Sequence, residues 1–414
     1  MNTLKTLIPW IKQRNLIQPL INKADGCYIY NNKNKIVDFT SGLMVVNLGH
    51  NNKYIYKGFN THIKSGIGYL PSTFSTYERD KLSDRLIDIS NFPNGKVFYT
   101  NGGADANESA IFFSLEVNSN KEKMRTISFK KSYHGGSSIL TSLIGGDERK
   151  YKKELYYNSR DFNAESILSN PEIKDNGNKS LNEIEKEFKK NNVCSILLEG
   201  SSGSAGIYLY PDNYLKKVRK LCDTYNVILI CDEVMSGFGR TGSFFAHQNK
   251  KQDILPDIIT CAKGLTCGYS PLGAVIITNR IADYFNNNGV YHGLTYSGHT
   301  LGCSIANRCL DLYLHNDMEI IKNVEEKSVL MENFGKKYTN ENELIKDYRT
   351  NGLLGCFELN IYDLETITEI KNTLYTSGVY CYIRNNFIFT APPLIIEEPL
   401  IENTMDIISR SIYK

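Results

Sequence analysis

The sequence predicts an α/β protein with two lobes, a large one built on a mostly parallel sheet and a smaller α+β one. The chain has 414 residues, which is long for one compact core. From about residue 50 to residue 300, short apolar runs alternate with amphipathic stretches, a pattern typical of β-α units. After residue 300, helix, strand and helix patterns follow one another, which indicates a second, smaller lobe.

Composition excludes several classes of protein. The hydrophobic fraction is 41% and the charged fraction 22%, values typical of globular proteins. The net charge of +3 comes without a clustered basic stripe, so we expect a small-molecule ligand rather than nucleic acid. No apolar run is long enough for a membrane span, and the N-terminus lacks a signal pattern. The ten cysteines show no C-x-x-C pairing, which favours free thiols and a cytoplasmic location.

Local patterns along the chain predict a hairpin, buried strands and a crossover helix. A short hairpin is expected over residues 25–40, and the clearest buried strands are Val193–Leu198 and Val227–Cys231, joined by an amphipathic crossover helix within Pro211–Tyr225. We expect residues 1–50 to form an N-terminal segment that contributes to the small lobe. Residues 51–302 form the large lobe and residues 303–414 the C-terminal small lobe in this interpretation.

Two chemically active side chains follow predicted strands. The run Val227–Cys231 ends in Asp232, and the run Asp257–Ala262 ends in Lys263. In open α/β sheets, ligands bind beyond the carboxyl ends of the strands, so both side chains are placed to meet one. A partly desolvated lysine can act as an imine-forming nucleophile or a proton shuttle. A structural ion pair and a solvated surface lysine are the alternatives.

Two further motifs complete a constellation. Val97–Asn101 followed by Gly102-Gly103 and a helix-like stretch can cradle a phosphate, because glycine permits close approach and a helix N-terminus favours an anion. The pair Tyr133-His134 offers a stacking ring. An ordinary turn and simple packing would explain each motif alone. Together the four motifs supply an acid, an amine, a phosphate cradle and a stacking ring, and pyridoxal phosphate uses all four.

These motifs, in this order, resemble the class III aminotransferases of the fold type I pyridoxal-phosphate superfamily over nearly the whole chain. The resemblance implies a large domain with a seven-stranded, mostly parallel sheet flanked by helices. It also implies a homodimer with active sites at the interface. The matching stretches are Asp38–Gly42 with Leu48–His50, Asn101–Glu108, Ser132–Gly136, Asp232–Val234 with Gly237–Gly242, Ala262–Leu265 and Thr295–His299.

The resemblance assigns roles to individual residues around the cofactor. Lys263 is implied to hold pyridoxal phosphate as a Schiff base and then to move the proton at the substrate Cα, while Asp232 pairs with the pyridine nitrogen. Val234 is expected on one face of the ring and Tyr133 on the other, with His134 beside that stack.

The phosphate contacts come from two places in this family. Gly103 and Ala104 are implied to donate backbone N–H groups to the phosphate. Thr295 matches a threonine that reaches the phosphate of the neighbouring subunit. Glu199 matches a glutamate near the cofactor ring, although Gly200-Ser201 replaces the more usual proline-containing continuation. No metal site is expected.

The substrate is less well indicated. Residues 102–107 and 231–237 resemble the taurine:pyruvate aminotransferase-like branch, and Trp10 fits that branch as a pocket wall or as a packing anchor. The commoner omega-aminotransferase pattern has a carboxylate-binding arginine before the Pro-Pro pair, where this chain has Tyr382. Arg384, two positions later, is the nearest candidate for the carboxylate, with a surface arginine as the alternative.

The expected activity is transfer of an amino group from an amine or amino acid donor to a 2-oxo acid such as pyruvate, by a ping-pong mechanism through pyridoxamine phosphate. Two alternatives stay open at this point. One is an aminomutase or decarboxylase on the same fold, and the other is a non-catalytic homologue.

Overall fold

A computed structural model of the chain describes residues 6–9, 18–32, 34–118, 120, 122–137 and 164–413. Its strands are β1 (Lys23–Asp25), β2 (Tyr28–Tyr30), β3 (Lys35–Asp38), β4 (Lys96–Thr100), β5 (Arg125–Phe129), β6 (Ala164–Leu168), β7 (Val193–Glu199), β8 (Ile228–Asp232), β9 (Ile258–Cys261), β10 (Gly273–Ile277), β11 (Ile345–Thr350), β12 (Gly355–Leu359), β13 (Val379–Tyr380), β14 (Ile383–Arg384) and β15 (Phe387–Thr390). Its longer helices are α1 (Tyr56–Ser65), α2 (Tyr77–Ser90), α3 (Gly103–Glu116), α4 (Asn178–Phe188), α5 (Tyr214–Tyr225), α6 (Asn279–Asn287), α7 (Thr300–Tyr313), α8 (Glu319–Glu341), α9 (Leu364–Thr376) and α10 (Glu398–Arg410). Short helical turns lie at Ser41–Met44, Ile173–Asp175, Ala246–Gln248 and Lys263–Leu265.

The central sheet has seven strands in the order β4-β10-β9-β8-β7-β5-β6. Strand β10 runs antiparallel to both of its neighbours, and the adjacent pairs from β9 to β6 are parallel. This confirms the predicted mostly parallel sheet.

The middle of the sheet is covered on both faces, and its side chains alternate between them as the strand period requires. Ile196 and Leu198 pack with α4 and α5, whereas Leu197 between them packs with α3 and α6. Every residue of β7 and β8 is buried. The continuous apolar run at Val227–Cys231 therefore reflects burial on two faces.

Register brings the polar ends of these strands together. Glu199 of β7 lies opposite Asp232 of β8, and Asp232 lies opposite Thr260 of β9. Because the three strands are parallel, their carboxyl ends form one edge, and the predicted strand-end acid stands at its centre.

Two smaller sheets flank this core. One has the order β1-β2-β3-β13 and contains the predicted hairpin, since β2 pairs antiparallel with β3. Its last strand comes from the C-terminal part of the chain, where β13 pairs parallel with β3. The other sheet has the order β11-β12-β15-β14. The proposed lobe boundaries at residues 50 and 302 stay a prediction.

The cysteines and the helices bear on two predictions from the sequence, one about free thiols and the other about membrane spans. All ten cysteines are free and buried, as the absence of paired spacing predicted. Among the described residues, no helix combines the length and the apolar character needed to cross a membrane.

Arg240 joins the large sheet to both terminal parts of the chain. Its guanidinium is fully buried and donates to the carbonyl oxygens of Leu353, at 3.0 Å, and Pro392. It also donates to Ser41 Oγ at 3.2 Å and to Asn47 Oδ1 at 2.7 Å. Burial lowers the pKa of Arg240 to about 10, so the group keeps its charge at neutral pH and binds these acceptors strongly.

We predict that Arg240→Met destabilises the protein by about 3 kcal/mol or more, because four acceptors lose a buried charged donor. Urea unfolding of the cofactor-free protein measures the change. Arg410→Met is the control, since the Arg410 side chain is 73% exposed, and we expect a change within about 0.5 kcal/mol. Equal effects of the two substitutions would contradict a special role for Arg240.

Candidate active site

A cavity of about 370 Å³ lies at the carboxyl ends of β7 and β8. It is large enough for a small heteroaromatic ligand and is lined by both polar and apolar side chains. The structure brings most of the sequence-predicted residues into its wall, namely Gly103, Ala104, Tyr133, His134, Glu199, Asp232, Val234 and Lys263.

Asp232 stands at the base of this cavity with its carboxylate held in one orientation. The residue is 4% exposed. Its Oδ2 accepts a hydrogen bond from Asn107 Nδ2 at 2.7 Å and lies 2.8 Å from His134 Nδ1. Its Oδ1 accepts from the backbone N–H of Val234 at 2.9 Å. A carboxylate anchored in this way can meet a cationic or N–H group of a ligand without rearranging.

The groups around Asp232 are themselves held. Asn107 Nδ2 lies 2.9 Å from the carbonyl oxygen of His134, and Asn107 Oδ1 accepts from Thr260 Oγ1 at 2.6 Å. His134 Nε2 lies 2.9 Å from Ser128 Oγ. Helix α3 and strands β5, β8 and β9 are thus linked around one carboxylate.

Asn107 was not singled out from the sequence, although a signal was available. It lies four residues after Gly103, and residues four apart share one face of a helix. A helix whose first turn faces a phosphate site therefore presents Asn107 to the same cavity.

The start of α3 supplies the predicted phosphate cradle. The helix begins at Gly103, and Gly102 before it makes no side-chain cap, so the first N–H groups are available to an anion. A Cβ atom placed on Gly103 would lie 2.6 Å from Val234 Cγ1. Glycine is required here because the helix start and Val234 approach each other so closely.

Lys263 occupies a strained turn. It begins the short helical turn Lys263–Leu265 after β9 and has a φ of 44°, in the left-handed region that non-glycine residues avoid at a cost of roughly 1 kcal/mol or more. The next residue, Gly264, packs so tightly that a Cβ atom there would lie 2.7 Å from Asn47 Nδ2. The surrounding structure imposes this conformation, and it places a half-buried lysine in the cavity wall.

Glu199 is a buried acid beside Asp232. It is 5% exposed, and burial, reinforced by the charge of Asp232 and opposed by His134, raises its pKa to about 7. Among the residues that the structure describes, its Oε2 has no hydrogen-bond partner, and its Oε1 has a long contact of 3.4 Å with Ser204 Oγ. At neutral pH the carboxyl group is therefore protonated far more often than that of an ordinary glutamate, and it lies in the cavity wall.

The predicted substrate residues are placed differently. Tyr382, at the position where the commoner pattern has arginine, lines the cavity. Arg384 is absent from the described lining, and its Nη1 donates to the carbonyl oxygen of Ser204 at 3.0 Å. Thr295 is exposed, away from the cavity of its own chain. Trp10 lies outside the described residues.

Several wall residues carried no usable sequence signal. They come from the segment after the short N-terminal strands, from the loops after β7 and β8 and from the C-terminal sheet, and they include Leu43, Met44, Val45, Ser201, Ser204, Met235, Ser236 and Phe389. Loop residues of this kind follow no period, so their neighbours are decided by the fold.

Comparison with known proteins agrees with this geometry. Residues 11–412 match the family model described as aminotransferase class-III. The adenosylmethionine-8-amino-7-oxononanoate aminotransferase of Helicobacter pylori is 31% identical over 91% of this chain and 88% of its own length. The acetylornithine/succinyldiaminopimelate aminotransferase of Buchnera aphidicola is 30% identical over 95% of this chain and 94% of its own length.

A solved structure shows the same architecture. The taurine:2-oxoglutarate aminotransferase of Bifidobacterium kashiwanohense, in complex with PLP and glutamate, superposes with a TM-score of 0.89 and 31% identity. The alignment covers 98% of this chain and 94% of that one.

The chain belongs to the class III aminotransferases, which are pyridoxal-phosphate-dependent enzymes of fold type I. It is therefore an aminotransferase that uses an amino donor and a keto acid acceptor. This confirms the activity, fold and cofactor expected from the motifs. The relatives named above are aminotransferases, which favours amino transfer over the aminomutase, decarboxylase and non-catalytic alternatives.

The raised pKa of Glu199 predicts a pH-dependent stability. The pKa rises from 4.5 to about 7 on folding, so between these values the native state binds more protons than the unfolded state. Stability from the protonated acid is thus fully present below pH 4.5 and is lost as the pH rises to about 7.

Glu199→Gln removes this titration. Relative to the parent, the cofactor-free variant should gain up to about 3 kcal/mol between pH 4.5 and pH 8, measured by urea unfolding at both values. Glu185→Gln is the control, because Glu185 is solvent-exposed and its pKa is lowered by Lys189. A constant difference between Glu199→Gln and the parent across this range would contradict the assignment.

Proposed function

We propose that the cavity beyond β7, β8 and β9 is the site of amino transfer and that Lys263 is the residue that binds the cofactor covalently. The observation that carries this proposal is the presence of the Lys263 amine and the anchored Asp232 carboxylate in one cavity wall. A cavity that only bound a ligand would not need both a strained lysine and an oriented buried carboxylate.

The carboxylate and the backbone N–H groups in the cavity wall match the groups that pyridoxal phosphate needs for binding. Asp232 would pair with the pyridine nitrogen, and the N–H groups of Gly103 and Ala104 at the start of α3 would hold the phosphate. Val234 and Tyr133 would cover the two ring faces. When bound, the cofactor supplies an aldehyde that condenses with amines and a protonated ring that accepts the electron pair left at Cα.

The protein moves the proton in this proposal. With the cofactor and substrate bound, the amine of Lys263 would be placed to take and hold the proton that leaves the substrate Cα. Asp232 would keep the ring nitrogen protonated. Because burial raises the pKa of Glu199 to about 7, this acid would add less negative charge beside Asp232 at neutral pH than an ordinary glutamate.

We also propose a homodimer in which Thr295 reaches the phosphate of the neighbouring subunit. Thr295 is exposed in its own chain. It lies in a surface rich in exposed aromatic rings, where Tyr296 is 58% exposed and Tyr69, 6.0 Å away between ring centroids, is 46% exposed. Exposed apolar surface of this kind is typical of a protein interface.

We propose a cytoplasmic location because all ten cysteines are free thiols, as is usual for proteins kept in a reducing compartment.

Substrate choice belongs to the same proposal. The similarity to a taurine:2-oxoglutarate aminotransferase supports a small amine or amino acid as donor and pyruvate or another 2-oxo acid as acceptor. Arg384 stays the candidate for the acceptor carboxylate, and its bond to the Ser204 carbonyl holds it beside a residue of the cavity wall. Trp10 stays a candidate pocket residue.

We predict that Lys263→Ala abolishes turnover, by at least about a thousandfold, while the fold and some cofactor binding persist, because the nucleophile and the proton carrier are lost together. Steady-state amino transfer and circular dichroism measure the two properties. Lys123→Ala is the control, since Lys123 is buried outside the cavity lining and donates to the carbonyl oxygen of Tyr225. Substantial transfer by Lys263→Ala would refute the assignment.

Absorbance of the holoenzyme should identify the substrates. We expect one donor from a panel of amines, amino acids and taurine to bleach the yellow band without acceptor, and pyruvate or 2-oxoglutarate to restore it. Recovery must produce one new amino acid for each donor consumed. A yellow protein that no donor bleaches would argue against amino transfer to a free 2-oxo acid.

A further inference from the structure

Tyr313 is a fully buried residue that the proposed chemistry leaves unused. It is the last residue of α7, outside the wall of the cavity, and it contacts the turn that carries Lys263. Its OH lies 2.9 Å from the carbonyl oxygen of Gly264 and 3.0 Å from Cys267 Sγ. One phenol thus holds two points of the same turn.

The direction of the bond to Gly264 follows from chemistry. Burial raises the pKa of Tyr313 well above its usual value, so the phenol keeps its proton. The carbonyl of Gly264 can only accept, and therefore Tyr313 donates to it. In the contact between the phenol and Cys267 Sγ, either group can be the donor.

The turn around Lys263 needs contacts from outside to keep its conformation. Lys263 has a φ of 44° and Cys267 a φ of 51°, so two non-glycine residues within five positions adopt the left-handed conformation. An isolated peptide would relax from this path. The ring of Tyr313 is itself fixed, because it packs against Phe238 at 5.8 Å between centroids and Phe244 at 6.2 Å.

We propose that Tyr313 is a positioning residue for Lys263: its hydrogen bond to the Gly264 carbonyl keeps the strained turn in the conformation that holds the lysine in the cavity wall. This inference rests on the proposed covalent role of Lys263. It gives a specific cause for the orientation of the Lys263 side chain. That cause, Tyr313, lies on α7, a helix that follows the large sheet in the chain.

Tyr313→Phe tests the proposal in the holoenzyme, with Tyr214→Phe as the matched control. Tyr214 is equally buried and its OH lies 2.7 Å from Ser180 Oγ, far along the chain from the turn. Each change removes one buried hydroxyl, which makes two contacts in Tyr313 and one in Tyr214. The measurements are the pH midpoint of the cofactor colour change without substrate, kcat and KM for the donor, and thermal unfolding.

We expect Tyr313→Phe to shift the colour midpoint by about half a pH unit or more and to lower kcat about three- to tenfold, with KM nearly unchanged. Tyr214→Phe should lower only the unfolding temperature. If both variants keep the parent midpoint and kcat, Tyr313 serves packing alone and the proposal is overturned.

A second variant approaches the turn without altering Tyr313. In Gly264→Ala, the new methyl group would push against Asn47 and Phe238, so the midpoint should shift there too. An unchanged midpoint in this variant would show that the turn does not orient the lysine. Borohydride reduction of the parent enzyme separates the two proposals. If reduction does not attach the cofactor covalently to Lys263, the proposed covalent role of Lys263 is refuted, and the positioning role of Tyr313, which rests on it, is refuted as well.

Discussion

The buried guanidinium of Arg240 is the interaction on which the assembly of this molecule depends. A charge removed from water is costly unless its donors find acceptors; both Nη nitrogens of Arg240 do, whereas its Nε has no partner among the described residues. Its acceptors come from the N-terminal segment, at Ser41 and Asn47, and from the C-terminal part, at Leu353 and Pro392. Any movement of one segment would leave a buried polar group unpaired, so the three parts are held in one arrangement around the cavity.

The same constraint reaches the lysine turn. Asn47 accepts from Arg240 and donates through Nδ2 to the carbonyl oxygen of Phe238 at 3.1 Å, and this Nδ2 packs where a side chain on Gly264 would stand. The buried charge, the N-terminal segment and the turn of Lys263 are therefore contiguous. A strained conformation persists only where its surroundings leave no alternative.

The two acids at the carboxyl edge of the large sheet differ in how many hydrogen bonds they make. Asp232 has three close partners, whereas Glu199, opposite it in the ladder, has one oxygen without a hydrogen-bond partner among the described residues. Fixed donors bond the Asp232 carboxylate, and burial raises the pKa of Glu199 to about 7. A buried acid with a raised pKa beside an anchored carboxylate is typical of sites where charge develops during a reaction.

Local sequence patterns predicted the parallel sheet, the strand ends at Asp232 and Lys263, and the helix start at Gly103, because burial on two faces and glycine turns leave periodic, local signals. The family's motifs were also visible in the sequence. Only tertiary contacts place Tyr382 rather than Arg384 in the described cavity lining, leave Glu199 Oε2 without a hydrogen-bond partner among the described residues, and bring Tyr313 against the turn of Lys263. These contacts join residues far apart in the chain, and no local pattern encodes such distances.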